Sequence, residues 1–267
     1  MALKTLAISV GDNCIDRYLP PIELDCVGGN ALNVAVSMQK AGLPSAYVGA
    51  VGNDEQGMRI LGSAAGQGVD ISHVQVLPGQ TSQTDIQLTP AGDRIFVHET
   101  FGPVKQLSLD DASLRFIKKH RLVHSTFLGA AEEYLPEFRK GGGLLAFDYS
   151  ERFNADFLEQ TVAHVDLAFF SLPEDRAALA ADMAAEIYGR GPRLVVFTMG
   201  LGGSLAFDGR IYRQPAIKVE VVDTLGAGDS FIGVFLASYM KKRTLETCLQ
   251  EAALSAAQTC THYGAWR

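Results

Sequence analysis

The sequence predicts an α/β fold: a doubly wound, mostly parallel sheet between helix layers, with a small β appendage. Three observations predict it. The short apolar runs TLAISVG, LVHST, LLAFD, DLAFF and RLVVFT show no alternation of apolar and polar residues, which marks strands buried on both faces. Helical patterns alternate with these runs, as the crossovers of a parallel sheet require. Two segments, Arg17 to Gly29 and His73 to Gly102, carry no helical pattern and read as short strands projecting from the α/β body.

Taken in order, TLAISVG is the first buried strand and GDNCID is its polar exit. RYLPPIELDCVGG is too short and too proline-rich for a crossover helix. NALNVAVSMQKAG reads as a helix ending at Gly42, AYVGAVG as a strand, and EQGMRILGSAAGQG as a second helix. The segment from His73 to Gly102 reads as strands with turns at Pro78-Gly79 and Pro90-Ala91-Gly92. PEDRAALAADMAAEIYG is the clearest helix. VVFTMGLGGSLAFD is a strand, a Thr-x-Gly turn and a second strand. IKVEVV, Ile217 to Val222, alternates as a half-buried strand, and DSFIGVFLASYMKK reads as a helix with basic residues at its C-terminal end. TLETCLQEAALSAAQTCTHYG is a long helix of small residues. The expected organisation is one α/β domain over residues 1–267, with a lid formed by about 17–29 and 73–102.

Composition bounds the function. The chain is 47% hydrophobic and 20% charged, the profile of a globular domain with a large core. A net charge of −7 argues against nucleic-acid or anionic-membrane binding, while leaving room for a local cationic pocket. No run approaches the length of a membrane span, and the first residues lack a signal-peptide pattern. Cys14, Cys26, Cys248 and Cys260 form no Cys-x-x-Cys pair, which argues against a disulfide framework or zinc site. Cytoplasmic residence is the expectation.

The most informative stretch is VVDTLGAGDSFIG. Gly226, Ala227 and Gly228 fall at the start of a helix, where backbone N–H groups lack partners and carry partial positive charge. Small residues let an anion approach those donors, a recipe for stabilising a phosphoryl group in transfer. Asp229 follows at once. It also suits the helix dipole alone. A dinucleotide loop is excluded because Phe231 stands where the third glycine belongs, and no Walker pattern occurs.

Asp223-Thr224-Leu225-Gly226-Ala227-Gly228-Asp229 resembles the C-terminal signature of the ribokinase/PfkB family of carbohydrate kinases, and Gly28-Gly29-Asn30-Ala31-Leu32-Asn33 resembles its N-terminal Gly-Gly-x-x-x-Asn signature. Order and separation match, and the strand–helix rhythm agrees over essentially the full chain. The resemblance implies a ribokinase-like fold with a β lid. It implies an anion hole from Gly226, Ala227 and Gly228, with Asp229 as the base kept ionised by its helix. Substrate contacts are expected from Asp12, Asn13, Asp16, Gly28, Gly29 and Asn33; turn chemistry also accounts for Asp12 and Asn13, and Asn30 also suits a helix cap. Arg94, Phe96 and Phe101 are lid candidates.

Thr198, Gly200 and Gly203 resemble the nucleotide-phosphate loop, and Ala253, Ala257 and Gly264 the surroundings of adenine; a tight β turn and close helix packing explain the same residues. Ser171-Leu172-Pro173-Glu174 matches a family Asn-x-x-Glu motif with Ser171 in place of Asn, so Glu174 is expected to act on magnesium through water. Asp148-Tyr149-Ser150-Glu151-Arg152 likewise carries Ser150 for Asn. ATP and Mg2+ are implied, and a monovalent cation such as K+ is admitted.

GDNCID, GGNALNVAV, GVDISHV and YGAW resemble the fructoselysine 6-kinase-like branch, which implies a sugar-amine substrate phosphorylated on its 6-hydroxyl. Arg94 and Arg152 are then expected to meet a carboxylate on the amine-bearing end. Another sugar or nucleoside kinase of the family, or a silent sugar-binding regulator on the same fold, remains open. Exposed lid strands invite a homodimer through the lid.

Overall fold

The structure, a computed structural model, describes residues 6–89, 92–151 and 153–267. In chain order the first elements are β1 (Ala7–Val10), β2 (Cys14–Tyr18), β3 (Leu24–Gly28), α1 (Asn30–Lys40), β4 (Ser45–Val48), β5 (Ala50–Gly52) and α2 (Glu55–Gly66). Then come β6 (Gln75–Leu77), β7 (Gln83–Leu88), β8 (Arg94–Thr100), α3 (Asp111–Ile117), β9 (Leu122–Thr126), α4 (Leu135–Arg139), β10 (Leu144–Asp148) and α5 (Ala155–Thr161). The last are β11 (Leu167–Ser171), α6 (Ala180–Tyr188), β12 (Leu194–Thr198), β13 (Ser204–Phe207), β14 (Ile211–Gln214), α7 (Ala227–Met240) and α8 (Leu245–Thr259).

The main sheet runs β14-β13-β12-β11-β10-β9-β1-β4, parallel from β12 to β4 and antiparallel at β13 and β14. Its strands lack alternation because neighbouring residues enter different cores. Ala7, Leu122 and Leu194 pack with Val34, Phe235 and Leu249 of α1, α7 and α8. Ile8, Val123 and Val195 pack with Ile117, Phe138 and Ala184 of the opposite layer. Helices on both faces make the sheet doubly wound.

A second sheet, ordered β3-β2-β7-β8, is built from the two helix-free segments. Its β2–β7 pair is parallel and its two outer pairs are antiparallel. β6 does not join it. It pairs instead with β5 as a separate parallel ladder, so the lid is narrower than the expected 73–102. AYVGAVG is two strands, divided at Gly49, where a Cβ would fall 2.1 Å from the Tyr47 hydroxyl and 2.5 Å from the Gly11 carbonyl. Pro90-Ala91 lies outside the described residues.

IKVEVV forms no strand and joins no sheet among the described residues. β14 ends the sheet, Pro215 follows with no N–H to donate, and the chain leaves the edge with Val219 and Val221 exposed. The Val222 and Asp223 amides end on the Cys260 carbonyl at 2.8 and 3.3 Å. All four cysteines are free thiols. No helix among the described residues is long and apolar enough to cross a membrane.

Candidate active site

In an open α/β sheet the ligand crevice lies at the carboxyl ends of the strands. Here those ends and the inner face of the small sheet enclose one cavity, whose lining includes Asp12, Asp16, Asn33, Asp148, Gly226, Gly228 and Asp229.

Gly226 caps α7 in the left-handed region at φ 74°, and a Cβ there would fall 2.3 Å from the Ala265 Cβ. Gly226 and Gly228 line the cavity where the first amides of a helix lack intrahelical partners. Ala227 does not line it, and its amide donates to the Thr224 carbonyl at 3.3 Å. Of the three residues expected to form an anion hole, Gly226 and Gly228 thus border the cavity and Ala227 does not. Asp223, fully buried behind it, accepts from the Tyr18 hydroxyl, from the Leu225 amide at 2.9 Å and from the Gly264 amide at 3.0 Å.

Asp229 sits in the first turn of α7, and its Oδ2 accepts from the Asn33 amide nitrogen at 2.7 Å. The Asn33 oxygen accepts in turn from the Trp266 indole N–H at 2.9 Å. Asn33, expected to bind sugar, has both ends of its amide committed to holding Asp229. The Asp229 carboxyl is pushed up to about 8, first by burial and then by the charges of Asp148 and Asp12; the Asn33 bond and the Arg94 charge oppose the shift. Desolvation thus opposes the ionised form that the helix terminus was expected to favour.

Asp12 also lines the cavity, but both of its oxygens accept from α1, from the Asn30 amide at 2.8 Å and the Ala31 amide at 3.0 Å. Asn13 donates to the Tyr47 hydroxyl at 2.9 Å and the Ala50 carbonyl at 2.8 Å. Its Oδ1 is buried without a hydrogen-bond partner among the described residues. Asp16 is buried in the wall and accepts from the Cys14 thiol at 3.2 Å. Burial raises its carboxyl to about 7, against the Cys14 bond. Gly28 does not line the cavity; a Cβ there would lie 1.8 Å from Asp16 Oδ2, so this glycine makes room for the carboxylate. Gly29 does line it and caps α1 at φ 105°, with space for a Cβ closed by the Asn13 backbone at 2.3 Å.

Arg94 lines the cavity from β8, its Nη1 3.4 Å from Thr224 Oγ1 and its guanidinium 5.6 Å from the Phe96 ring centre. It stands beside the turn that carries Asp229, not at a distant amine-bearing end as expected. Phe96 and Phe101 also line the cavity, and Arg152 lies outside the described residues.

Three residues of this wall escaped the sequence reading as site groups. Asp148, raised by burial to about 6, accepts from the Asn30 side chain at 2.7 Å and from the Ser150 amide at 2.8 Å. Asn30 is thus the first helical residue and a bridge to Asp148, while Gly29 is the cap. Glu99 enters from β8. Asp148 had a signal, an acid ending a buried strand.

Thr198 reaches the same cavity, its Oγ1 3.0 Å from Ser171 Oγ. Gly200 has φ 54° and open space where a Cβ would be; Gly203 has φ 84° and would strike the Gln214 carbonyl at 2.3 Å. Ala253 and Ala257 are buried on α8 and do not line the cavity. Nor does Gly264, whose amide is bonded to Asp223 and Tyr18, and whose Cβ would lie 2.8 Å from Cys26 Sγ. It braces the glycine turn.

Glu174 is exposed, with its Cγ 3.9 Å from where a Gly202 Cβ would stand. No group of three or more His, Cys, Asp or Glu among the described residues could hold a metal. Magnesium that keeps its waters and rests on phosphates needs only one or two carboxylates, and Glu174 beside the glycine-rich turn fits that demand.

A fructoselysine 6-kinase of Shigella flexneri is 38% identical over 265 residues, covering 99% of this chain and 100% of that one. A fructosamine kinase of Bacillus subtilis (strain 168) is 35% identical, covering 97% of this chain and 92% of that one. The structure of Arabidopsis thaliana ribokinase complexed with ribose and ATP superposes with a TM-score of 0.84 at 22% identity, covering 98% and 95% of the two chains, a likeness of fold. The description "pfkB family carbohydrate kinase" matches residues 26–266, and the chain belongs to the pfkB family of carbohydrate kinases.

Proposed function

We propose that this kinase transfers the γ-phosphoryl group of ATP to the 6-hydroxyl of a fructosamine. The observation that carries the reading is Asp229 fixed by Asn33 next to the Gly226 and Gly228 turn. Near-full-length similarity to fructosamine kinases supports the substrate class.

In this reading Asp229 aligns the 6-hydroxyl and accepts its proton as the bond from O6 to the γ-phosphorus forms and the bond from that phosphorus to the β-phosphate oxygen breaks. Phosphoryl transfer runs largely on positioning and charge stabilisation, so a base poised near neutrality suffices. The Gly226 and Gly228 amides, with the α7 dipole behind them, hold the charge of the transferring group. Arg94 adds a cation at the same turn. Thr198 and the Gly200 turn face the nucleotide phosphates, where magnesium would neutralise phosphate charge, with Glu174 ordering its waters. Closure of the small sheet excludes water and limits ATP hydrolysis. Its outer strand β8 exposes Ile95 and Val97, and pairing of two such edges joins two copies.

The test is a panel of fructoselysine, a second fructosamine, fructose, ribose and adenosine with magnesium and ATP. The expected result is the highest kcat/KM on a fructosamine, with phosphate on O6 by phosphorus NMR. Preference for a free sugar or the nucleoside rejects the substrate assignment, and ATP turnover with none of them rejects the kinase reading of this site.

A further inference from the structure

A second cavity, of about 670 Å³, lies at the opposite end of the sheet. Arg121, which precedes β9, and Leu144, which opens β10, line it, whereas Asp148 at the other end of β10 lines the proposed active site. The two cavities are thus about 13 Å apart along one strand. Two helices from opposite layers end here: Lys118 caps α3, and Tyr239 and Met240 belong to the last turn of α7. The glycines at 141, 142 and 143 also line it, and a Cβ at Gly142 would meet nothing within 4 Å.

Lys118, Lys119, Arg121, Lys242 and Arg243 all line this cavity, and among the described residues no Asp or Glu does. In a chain of net charge −7 this is a local reversal of sign. Lys118 is paired with Glu137 at 3.4 Å. The side chains of the other four cations make no ion pair or hydrogen bond among the described residues. Cations suit the carbonyl ends of helices, but two helix ends carry only about half a negative charge each. Four unpaired cations exceed what the dipoles of α3 and α7 call for.

Lys242 carries the argument furthest. Its amide donates to the Tyr239 carbonyl at 2.9 Å, and the Arg243 amide to the Ser238 carbonyl at 3.2 Å. These two bonds are the Schellman ending of a helix, which places Lys242 in the left-handed region at φ 59°. Glycine is the usual residue there, because a Cβ is strained by that backbone. A lysine kept against the local preference, beside three more unpaired cations, marks a charge with a use other than folding. The occupant is a compact anion, since the surface is concave and the rest of the chain repels a long polyanion or an anionic membrane. A single carboxylate or phosphate reaches one or two of these cations, whereas a short chain of phosphates reaches all of them, with Arg121 and Arg243 able to hold phosphate oxygens in pairs.

We propose that this cavity is a binding site for a small polyphosphate anion, held by Arg121, Lys242 and Arg243 and separate from the site of phosphoryl transfer. It goes beyond the kinase reading and does not depend on it. Leu144, Tyr239 and Met240, all half-buried, supply an apolar floor on which the organic part of a nucleotide can rest.

The experiment titrates the protein with inorganic tripolyphosphate by isothermal calorimetry, without magnesium and at constant ionic strength. It compares the wild type, Lys242→Gly, the triple variant Arg121→Gln/Lys242→Gly/Arg243→Gln, and Lys218→Gln, which removes an exposed charge outside the cavity. Kd is expected to rise about 10-fold in Lys242→Gly, as for loss of one charge-assisted hydrogen bond. Binding should vanish in the triple variant and stay unchanged in Lys218→Gln. Because glycine suits φ 59° better than lysine, Lys242→Gly should melt no lower than the wild type without the anion. The kcat/KM of every variant, measured without tripolyphosphate, should equal that of the wild type. An ATP titration under the same conditions names the source: a Lys242-dependent step tighter than that of tripolyphosphate assigns the cavity to a nucleotide, and a weaker one to inorganic polyphosphate. A wild type that does not bind tripolyphosphate, or a Kd that Lys242→Gly and the triple variant leave in place, overturns the proposal. An equal loss in Lys218→Gln overturns it as well, since net charge alone then sets the affinity.

Discussion

Asp229 is held by an amide that cannot turn over. Trp266 donates to the Asn33 oxygen, so the Asn33 nitrogen must face the carboxylate. That bond favours the ionised form, against burial and the neighbouring charges of Asp148 and Asp12. The carboxylates around the cavity titrate as a coupled set. Because each folded-state value lies above the ordinary carboxylate range, the acidic limb of kcat/KM is expected between about pH 6 and 8, with activity rising as the base ionises. Asn33→Ala removes a bond that lowers the Asp229 value, so its limb should move to higher pH, with kcat down roughly 10-fold or more. A pH–rate profile of both proteins checks this; a limb near pH 4, or one that Asn33→Ala leaves in place, contradicts it. Asp229 was legible because its signal is local, an acid following a glycine turn. Asn33 was legible as a site residue and misread in its target, because its partner is far along the chain.

At the element scale, the start of α7 carries two glycines with different demands. Gly226 needs its positive φ and collides with Ala265 if a Cβ is added, whereas a Cβ at Gly228 meets nothing within 4 Å. Gly228→Val should therefore keep its fold by circular dichroism while filling the space proposed for the phosphoryl group. The expected loss in kcat is about 10²-fold or more, with a smaller change in sugar KM; a variant altered only in KM would place the transfer elsewhere. The parallel strands were readable because burial on both faces leaves an unbroken apolar run. IKVEVV misled because burial does not follow its alternation: Val219 and Val221 are exposed along with Lys218 and Glu220, and no ladder partner covers them. The register shift in the β7–β8 pair between Asp85 and Ile86 was hidden because register is set across strands and nothing local shows it.

For the whole molecule, the site works against stability as pH rises. Asp148, Asp16 and Asp229 have folded values of about 6, 7 and 8, against 3.8 for the free group, with burial the leading cause. Folded protein then binds protons more tightly than unfolded chain, so their contribution declines from about pH 4 up through those values. Asp85, lowered chiefly by its bond from Arg17, and Asp110, lowered chiefly by the Ser113 amide, act oppositely; they add stability above the unfolded value and lose it as pH falls through their folded values. The ligand-free protein should be most stable in mild acid, with Tm falling between about pH 5 and 8. Asp229→Asn should lie close to the wild type near pH 5 and exceed it by several degrees at pH 8, where the wild type has lost the contribution of this carboxyl. Thermal melts across pH decide; a wild-type Tm that climbs to pH 8, with no gain in the variant, contradicts the account.

Trp266 is the chain's single tryptophan, and its indole N–H ends on the amide that holds the proposed base. Indole emission follows the local field and the strength of that one donor bond. The molecule thus carries its own optical gauge. Light from one ring, without an added label, registers whether the carboxylate two hydrogen bonds away is charged and whether an occupant has pulled it aside.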